Sequence, residues 1–591
     1  MKKNEDMAAN NFPVQQIATD TTLQSGQKAE GYATPTQDTT PQMCFFAPKR
    51  VLPIIFLPGI MGSNLRITSA ERQRLIGQDN NKAWRPDDIG AGNAHENSTA
   101  TPRNRQLRID PKTTAVDIYD PNGPSDVSGD GRHSNVTLEK NFNSPLLASD
   151  PPTKKDGRSA TQKARQRGWG EVMFTSYGQV LQHLERRLNN TFTDGKVQAE
   201  WGDIVNADPA AWSPERSKPQ RAITEDEFRK AVGKCWFPVY AFGYNWLQSN
   251  RRSATATADR ITAVIDSFKK GGYECEKVII VTHSMGGFVA RGIVHPDIGG
   301  LQDKVLGVVH GVQPAIGAAA AYKRMRAGFE DPGMWTSFKE SVAAKVTGNM
   351  GDEVTAVLAN APGGLELLPN KTYGNGWLQV SINAKQKDAW PKKGDPYEEI
   401  YKVKGKWYSL IREEWINPSG LPEDRGGGSF DQTIDYIDQA RTFHDLIANT
   451  YHDTSYAHYG TDVAHRCWGD VVWEVDAAKG ADLDNWDSWV IETDSKQGEL
   501  GLTPPECYAP GAPHPPKVRA HMAAGTEPGD GTVPQRSARH QLQSGKFSGV
   551  FEQAGYDHQG SYQNQNAIAS TLYSILRIAQ KAKWKDDPKE G

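Results

Sequence analysis

Residues 277–291, KVIIVTHSMGGFVAR, decide the reading of this chain. The run 277–281 is apolar and branched without alternation, which predicts a strand covered on both faces of a parallel sheet. Residues 285–293 read as the helix that follows, and Ser284 stands at the junction. A serine hydroxyl is a weak nucleophile that needs a base, an exposed position and nearby oxyanion donors. A sharp strand-to-helix turn supplies the exposure, but it strains the serine backbone and leaves no room for bulk two residues to either side. Gly286 and Gly287 leave that room on the helix side, and the helix N-terminus aims its dipole at developing negative charge. Thr282 stands where glycine is usual, which predicts a slightly opened turn.

Working outward, residues 51–57 read as another buried strand, closed by Pro58-Gly59, and 237–242 and 305–309 as two more. Between them, 255–269 carries Ile261, Val264, Ile265 and Phe268 at helical spacing and stops at Gly271-Gly272. This strand–helix series predicts an α/β fold: a mostly parallel central sheet, right-handed crossovers and helices on both faces. A helical pattern at 175–190 (Tyr177, Val180, Leu181, Leu184, Leu188) interrupts the polar stretch 66–230. Residues 315–465 lack the rhythm and predict a second insertion lying over the strand ends as a cap or lid. Regular signals return at 468–475, 518–522 and 549–552, and a terminal helix is expected over 562–583. Residues 1–45, rich in Asn, Gln, Thr and Ala, predict a disordered arm, so 46–591 reads as one elaborated domain.

Of the 591 residues, 68 are Lys or Arg and 71 Asp or Glu, a net charge of −3 that offers no basic excess for nucleic acid. Five scattered cysteines without a CxxC argue against a disulfide framework and a zinc site, and no cofactor or metal motif is present. The N-terminus lacks the apolar core of a secretory signal. Residues 51–62 are too short and too broken by Pro and Gly to span a bilayer. A soluble protein is expected, and the compartment stays open at this point.

If Ser284 is a nucleophile on such a sheet, an acid and then a histidine should follow it in the chain. Asp530, in EPGDGTVP at 527–534, lies in a Gly-rich loop; His558, in GVFEQAGYDHQG at 549–560, lies in a loop before the last helix. A turn aspartate and a surface histidine are the ordinary uses of these residues, but their order and context favour a triad of Ser284, Asp530 and His558. Met285, after the nucleophile, and Ile60, in LPGIMGS at 57–63, are the candidate oxyanion-hole donors through their backbone N–H groups. Among the rival histidines, His283 is expected to point to the other side of the turn, and His310 could line the site. His452, His458 and His465 match no zinc spacing and read as exposed loop residues.

With these pieces assembled, the chain resembles the lipase branch of α/β-hydrolases containing lecithin:cholesterol acyltransferase-like and GPI inositol-deacylase-like enzymes. The matching motifs are LPGIMGS at 57–63, GYNW at 243–246, VTHSMGG at 281–287, GLELLPN at 364–370 and GDGTVP at 529–534, with His558 near the end. GYNW carries Asn245 where relatives often have Asp. The two polar insertions look most like bacterial members, the phospholipase effectors of type VI secretion. That resemblance implies hydrolysis of phospholipid esters, peripheral membrane contact, delivery on a secretion-spike carrier to the target-cell periplasm, and a cognate immunity protein. A soluble carboxylesterase or thioesterase, and a catalytically silent binding module, are the alternative readings. The 16 tryptophans, Trp335, Trp377, Trp390 and Trp407 among them, suggest lipid contact, with core packing as the alternative.

Overall fold

Alternation between two buried faces organises the centre of the molecule. The computed structural model describes residues 48–87, 100–149, 157–329, 348–504 and 517–585, apart from positions 194, 214 and 219, and three earlier strands. Seven strands form the main sheet: β1 (Ile54–Leu57), β2 (Glu215–Lys218), β3 (Val239–Ala241), β4 (Val278–His283), β5 (Val305–Gly311), β6 (Ser455–Gly460) and β7 (Phe547–Gln553). Their spatial order is β2-β7-β6-β5-β4-β1-β3, and all neighbours run parallel except β2, which lies antiparallel on β7. At the centre Ile280 pairs with Ile55 on one side and Val308 on the other.

Five helices cover the sheet: α1 (Phe174–Asn189), α2 (Asn250–Lys270), α3 (Gly286–Val294), α4 (Phe430–Ile447) and α5 (Gln565–Ala579). Ile55, Leu57, Val278 and Ile280 point to the face held by Ile261 and Ile265 of α2 and Phe288, Val289 and Ile293 of α3. Ile54, Phe56, Ile279 and Val281 point to the other, against Val180, Leu181 and Leu184 of α1 and Leu572 and Ile575 of α5. A strand buried on both faces has no polar side to write, which is why 278–281 reads as a continuous apolar run. Each such side chain contributes about 1.5–3 kcal/mol by leaving water, so the two interfaces dominate the stability of the core.

The structure relocates two expected elements. Val471–Ala477 and Val518–Met522 are not core strands: with Leu378–Ile382, Lys385–Trp390, Val490–Asp494 and Glu499–Thr503 they build a separate six-stranded mixed sheet. The core strand in that part of the chain is β6, inside the stretch 315–465 expected to be an insertion. Its sequence, SYAHYG, lacks branched residues, so periodicity gives no strand signal although every residue is buried. The earlier stretch 66–230 is more than a polar excursion, since it supplies α1 and the edge strand β2. Within 1–45, Ala18–Thr22 and Gly26–Gly31 pair antiparallel, and Gly26–Gly31 also pairs with Gln42–Phe46; the rest of that span lies outside the described residues.

Tryptophan packing is also decided. Trp377 and Trp407 are buried, the latter edge-on to Trp473 and Trp486, and Trp390 stacks on Tyr408 at 4.8 Å. Trp377 and Trp407 are core and Trp390 is partly buried against it, while Trp335 lies outside the described residues. Cys235, Cys275 and Cys467 are buried free thiols; Cys44 and Cys507 have side chains outside that range.

Candidate active site

Three neighbouring strands end in strained residues. Met61 follows β1 with φ +61°, Ser284 follows β4 with φ +51°, and Val312 follows β5 with φ +44°. For residues carrying a Cβ this conformation costs on the order of 1–2 kcal/mol each, and for a β-branched valine it is a genuine outlier. Such strain persists where surrounding structure over-determines it, and clustering at one edge of a sheet marks a functional edge.

At the serine turn the local causes are visible. Ser284 N–H donates to Gly311 C=O at 2.8 Å, and Gly287 N–H to Ser284 C=O at 3.0 Å, so the chain turns directly from β4 into α3. A Cβ on Gly286 would lie 2.5 Å from Leu57 O, and one on Gly287 2.5 Å from the Gln313 side chain. Gly59 is tighter in another sense: a Cβ there would sit 2.8 Å from His283 Nδ1 and 3.1 Å from Ser284 Cβ. The turn is not opened at Thr282, which keeps regular register with Leu57 and His310. The expectation of a loosened turn is therefore corrected.

Asp530 and His558 meet. His558 Nδ1 lies 2.7 Å from Asp530 Oδ2, and the His558 N–H donates to Asp530 C=O at 2.7 Å. Asp530 Oδ1 accepts the N–H groups of Thr532 and Val533 at 3.0 and 2.7 Å. Burial alone would raise this carboxyl, but His558 beside it and these amides outweigh burial and hold it below its ordinary value. An ionised carboxylate only accepts, so Nδ1 carries the proton and Nε2 of a neutral His558 is left basic. The element placing Asp530 is the short strand Glu527–Gly529, paired with Asp462–Cys467, and Asp530 Cβ packs on Gly460 at the end of β6.

His558 reaches the serine turn through its neighbour: His283 Nε2 is 2.9 Å from His558 C=O. The other ring nitrogen, Nδ1, is 3.0 Å from Tyr177 Oη, which accepts the Gly59 N–H at 3.2 Å. From the sequence, His283 reads as pointing away from the site and Tyr177 only as an apolar position of a helix. His310 does not line the site; it is buried between Tyr451 and Phe547. The exposed-loop reading of the histidine trio is corrected as well. His458 is buried on β6 and His452 is buried with Nδ1 accepting Thr454 N–H, while His465 alone is partly exposed, beside Asp462.

Beside the Gly59–Gly62 turn lies a small cleft of about 10 Å³, lined by Met61, Trp84, Trp246 and Leu358 together with the charged Arg105 and Glu353. Trp84 Nε1–H donates to Met61 C=O at 2.7 Å and fixes the turn against this wall. Asn245 in GYNW donates to Thr114 O and Oγ1 at 3.1 Å, bonds an aspartate could not make, which accounts for the departure. Among the described residues no three His, Cys, Asp or Glu side chains converge as for a metal ion, and no helix is long and apolar enough to cross a membrane.

A parallel sheet covered on both faces, with a strained serine between a strand and a glycine-led helix, defines the class of α/β hydrolases. No family model and no curated protein matches the chain. Among solved structures it is similar to Tle4 in the crystal structure of the Tle4–Tli4 complex, at 30% identity and a TM-score of 0.66, covering 90% of this chain and 99% of that one. The chain belongs to the family of that Tle4 protein, in accord with the resemblance to type VI phospholipase effectors carried by its motifs.

Proposed function

We propose that the chain is a serine esterase that hydrolyses carboxylic ester bonds of glycerophospholipids through an acyl-enzyme, and that it serves as a secreted antibacterial lipase effector. The observation that carries this reading is the strained Ser284 turn bonded, through His283, to the loop whose His558 pairs with Asp530 at 2.7 Å. His558 Nε2 takes the Ser284 proton as the hydroxyl attacks the acyl carbonyl, and Asp530 holds the tautomer and stabilises the imidazolium. The N–H groups of Ile60 and Met285 stabilise the oxyanion. Met285 stands at the N-cap of α3, and Ile60 follows Gly59, which packs against the serine turn. The leaving alcohol receives the proton from His558, and water activated by the same imidazole then frees the acid.

Ser284 is only 4% exposed, and the part of the 315–465 segment that precedes α4 and β6 is assigned as the lid whose movement admits a lipid. A cognate immunity partner and carriage by a secretion spike belong to this reading; Tle4 is solved in complex with Tli4.

Fluorophosphonate labelling of wild type and of Ser284→Ala tests the nucleophile: label on the first alone is expected, and no label on either leaves a silent module. Fatty acid release from phospholipid vesicles is compared with release from short soluble esters. Activity confined to the soluble esters would replace the lipase reading by that of a soluble carboxylesterase.

A further inference from the structure

We propose that Tyr177 and His283 are positioning residues of the Ser284 site, joined in one hydrogen-bond chain that ties the oxyanion loop and the His558 loop to the residue before the nucleophile. This rests on the proposed esterase reading and adds a device to it. The chain runs from Gly59 N–H to Tyr177 Oη at 3.2 Å, from Tyr177 to His283 Nδ1 at 3.0 Å, and from His283 Nε2 to His558 C=O at 2.9 Å.

Its proton positions follow from bonding rules together with the neutrality of the buried ring. A carbonyl oxygen only accepts, so Nε2 of His283 carries the hydrogen. The ring is neutral, because burial first and the neighbouring His558 second push its pKa down to about 3. Nδ1 is then a lone pair, and what faces it must be a donor: the Tyr177 hydroxyl. With its hydrogen committed, the Tyr177 oxygen only receives, and it receives the Gly59 N–H. No group has to serve two roles, so a single arrangement of hydrogens satisfies the whole chain. A second buried ring, His444, is held in the same way, with Nδ1 facing the Tyr397 hydroxyl and Nε2 the Glu366 C=O, each at 2.7 Å.

The chain joins four separate segments: the turn after β1, α1, the end of β4, and the loop after β7. Those are the parts whose relative placement decides whether donor, nucleophile and base meet. His283 itself is no base, since both its nitrogens are engaged. It acts through the carbonyl of His558, leaving the His558 ring to Asp530. Tyr177 is held from its other sides by Phe56, at 5.0 Å between ring centroids, so removing its hydroxyl leaves the ring seated.

The test uses the full chain, the soluble ester assay and fluorophosphonate labelling. In Tyr177→Phe, kcat and the labelling rate are expected to fall together on the order of 10-fold while KM stays within about twofold, the pattern of misplaced groups rather than lost binding. His283→Gln keeps an N–H and an acceptor on one side chain and is expected to recover activity relative to His283→Leu. On wild type, ¹⁵N spectra should show His283 protonated at Nε2, with Nδ1 a hydrogen-bonded acceptor, unchanged across neutral pH. A Tyr177→Phe enzyme with wild-type kcat, or a His283 protonated at Nδ1, overturns the chain while Ser284→Ala remains inactive. Loss of labelling in wild type would instead overturn the esterase reading. If His283→Leu fails to fold, Tyr177→Phe and the wild-type spectra still decide.

Discussion

At the scale of single residues, the proposed chemistry turns on a few atoms. Replacing Asp530 by Asn leaves the packing on Gly460 intact but turns an amide N–H toward His558 Nδ1, or presents a weaker neutral acceptor. The imidazole then loses its fixed tautomer, and kcat is expected to fall by roughly 10³–10⁴-fold on a soluble ester with the fold unchanged by circular dichroism. A fall below tenfold would remove Asp530 from the proposed triad. Gly59→Ala forces a methyl to within 2.8 Å of His283 Nδ1 and 3.1 Å of Ser284 Cβ. Its cost is expected at about 1–3 kcal/mol in denaturant unfolding, with kcat falling on the order of 10²-fold because the turn after β1 must back away. Ser284, Asp530 and His558 are legible in the sequence because their chemistry demands an order in the chain and glycines beside them. Tyr177 and His283 are not: a tyrosine at helical spacing looks like any buried aromatic, and the ring beside the serine declares no partner until the fold brings Gly59 and His558 to it.

Elements are joined by buried polar fasteners, and one gives a pH prediction. Glu366 is fully buried beside the first residue of α2, where its Oε2 accepts Asn250 N–H at 2.8 Å and Asn250 Nδ2 at 2.6 Å. Glu366 Oε1 and Asn250 Oδ1 are left as two buried acceptors without a donor, and a proton on the carboxyl supplies one. Burial accordingly raises this carboxyl to about 8 against the Asn250 hydrogen bonds. The folded state then holds a proton that the unfolded state gives up near its ordinary value. Its contribution is fully present below that value and is lost as pH rises toward 8, at up to about 1.4 kcal/mol per pH unit. Glu366→Gln keeps the shape and the amide donor, so it is expected to match wild type near pH 5 and exceed it in unfolding midpoint at pH 8. Parallel pH profiles for the two proteins would show that Glu366 ionises freely. The same scale explains which elements could be read. β4 and α3 announce themselves because apolar residues fill both faces and glycines mark the junction. β6 is buried by aromatic and small residues without periodicity, and the strands near 471 and 518 look like core strands because a second sheet obeys the same alternation.

At the scale of the whole molecule, charge and closure together determine how a lipid could be met. The net charge of −3 gives no global attraction to anionic membranes, and Ser284 lies at 4% exposure. Long-range steering therefore contributes little, and under the proposed lipase reading productive contact depends on apolar surface exposed by movement of the proposed lid. A rate set in that way responds to the presence of an interface rather than to its charge. Raising a short-chain ester through its solubility limit is expected to increase turnover per enzyme abruptly as aggregates form, not along a single saturation curve. On vesicles, fatty acid release from phosphatidylcholine and from phosphatidylglycerol should agree within about threefold and change little between roughly 0.05 and 0.5 M salt, a range over which screening of exposed charges becomes severe. A steep salt dependence confined to the anionic vesicles would place the binding step on a local basic surface instead. Smooth saturation through the solubility limit would mean that the buried serine is reached without any movement that an interface promotes, and the 315–465 segment would then be a fixed wall of the site.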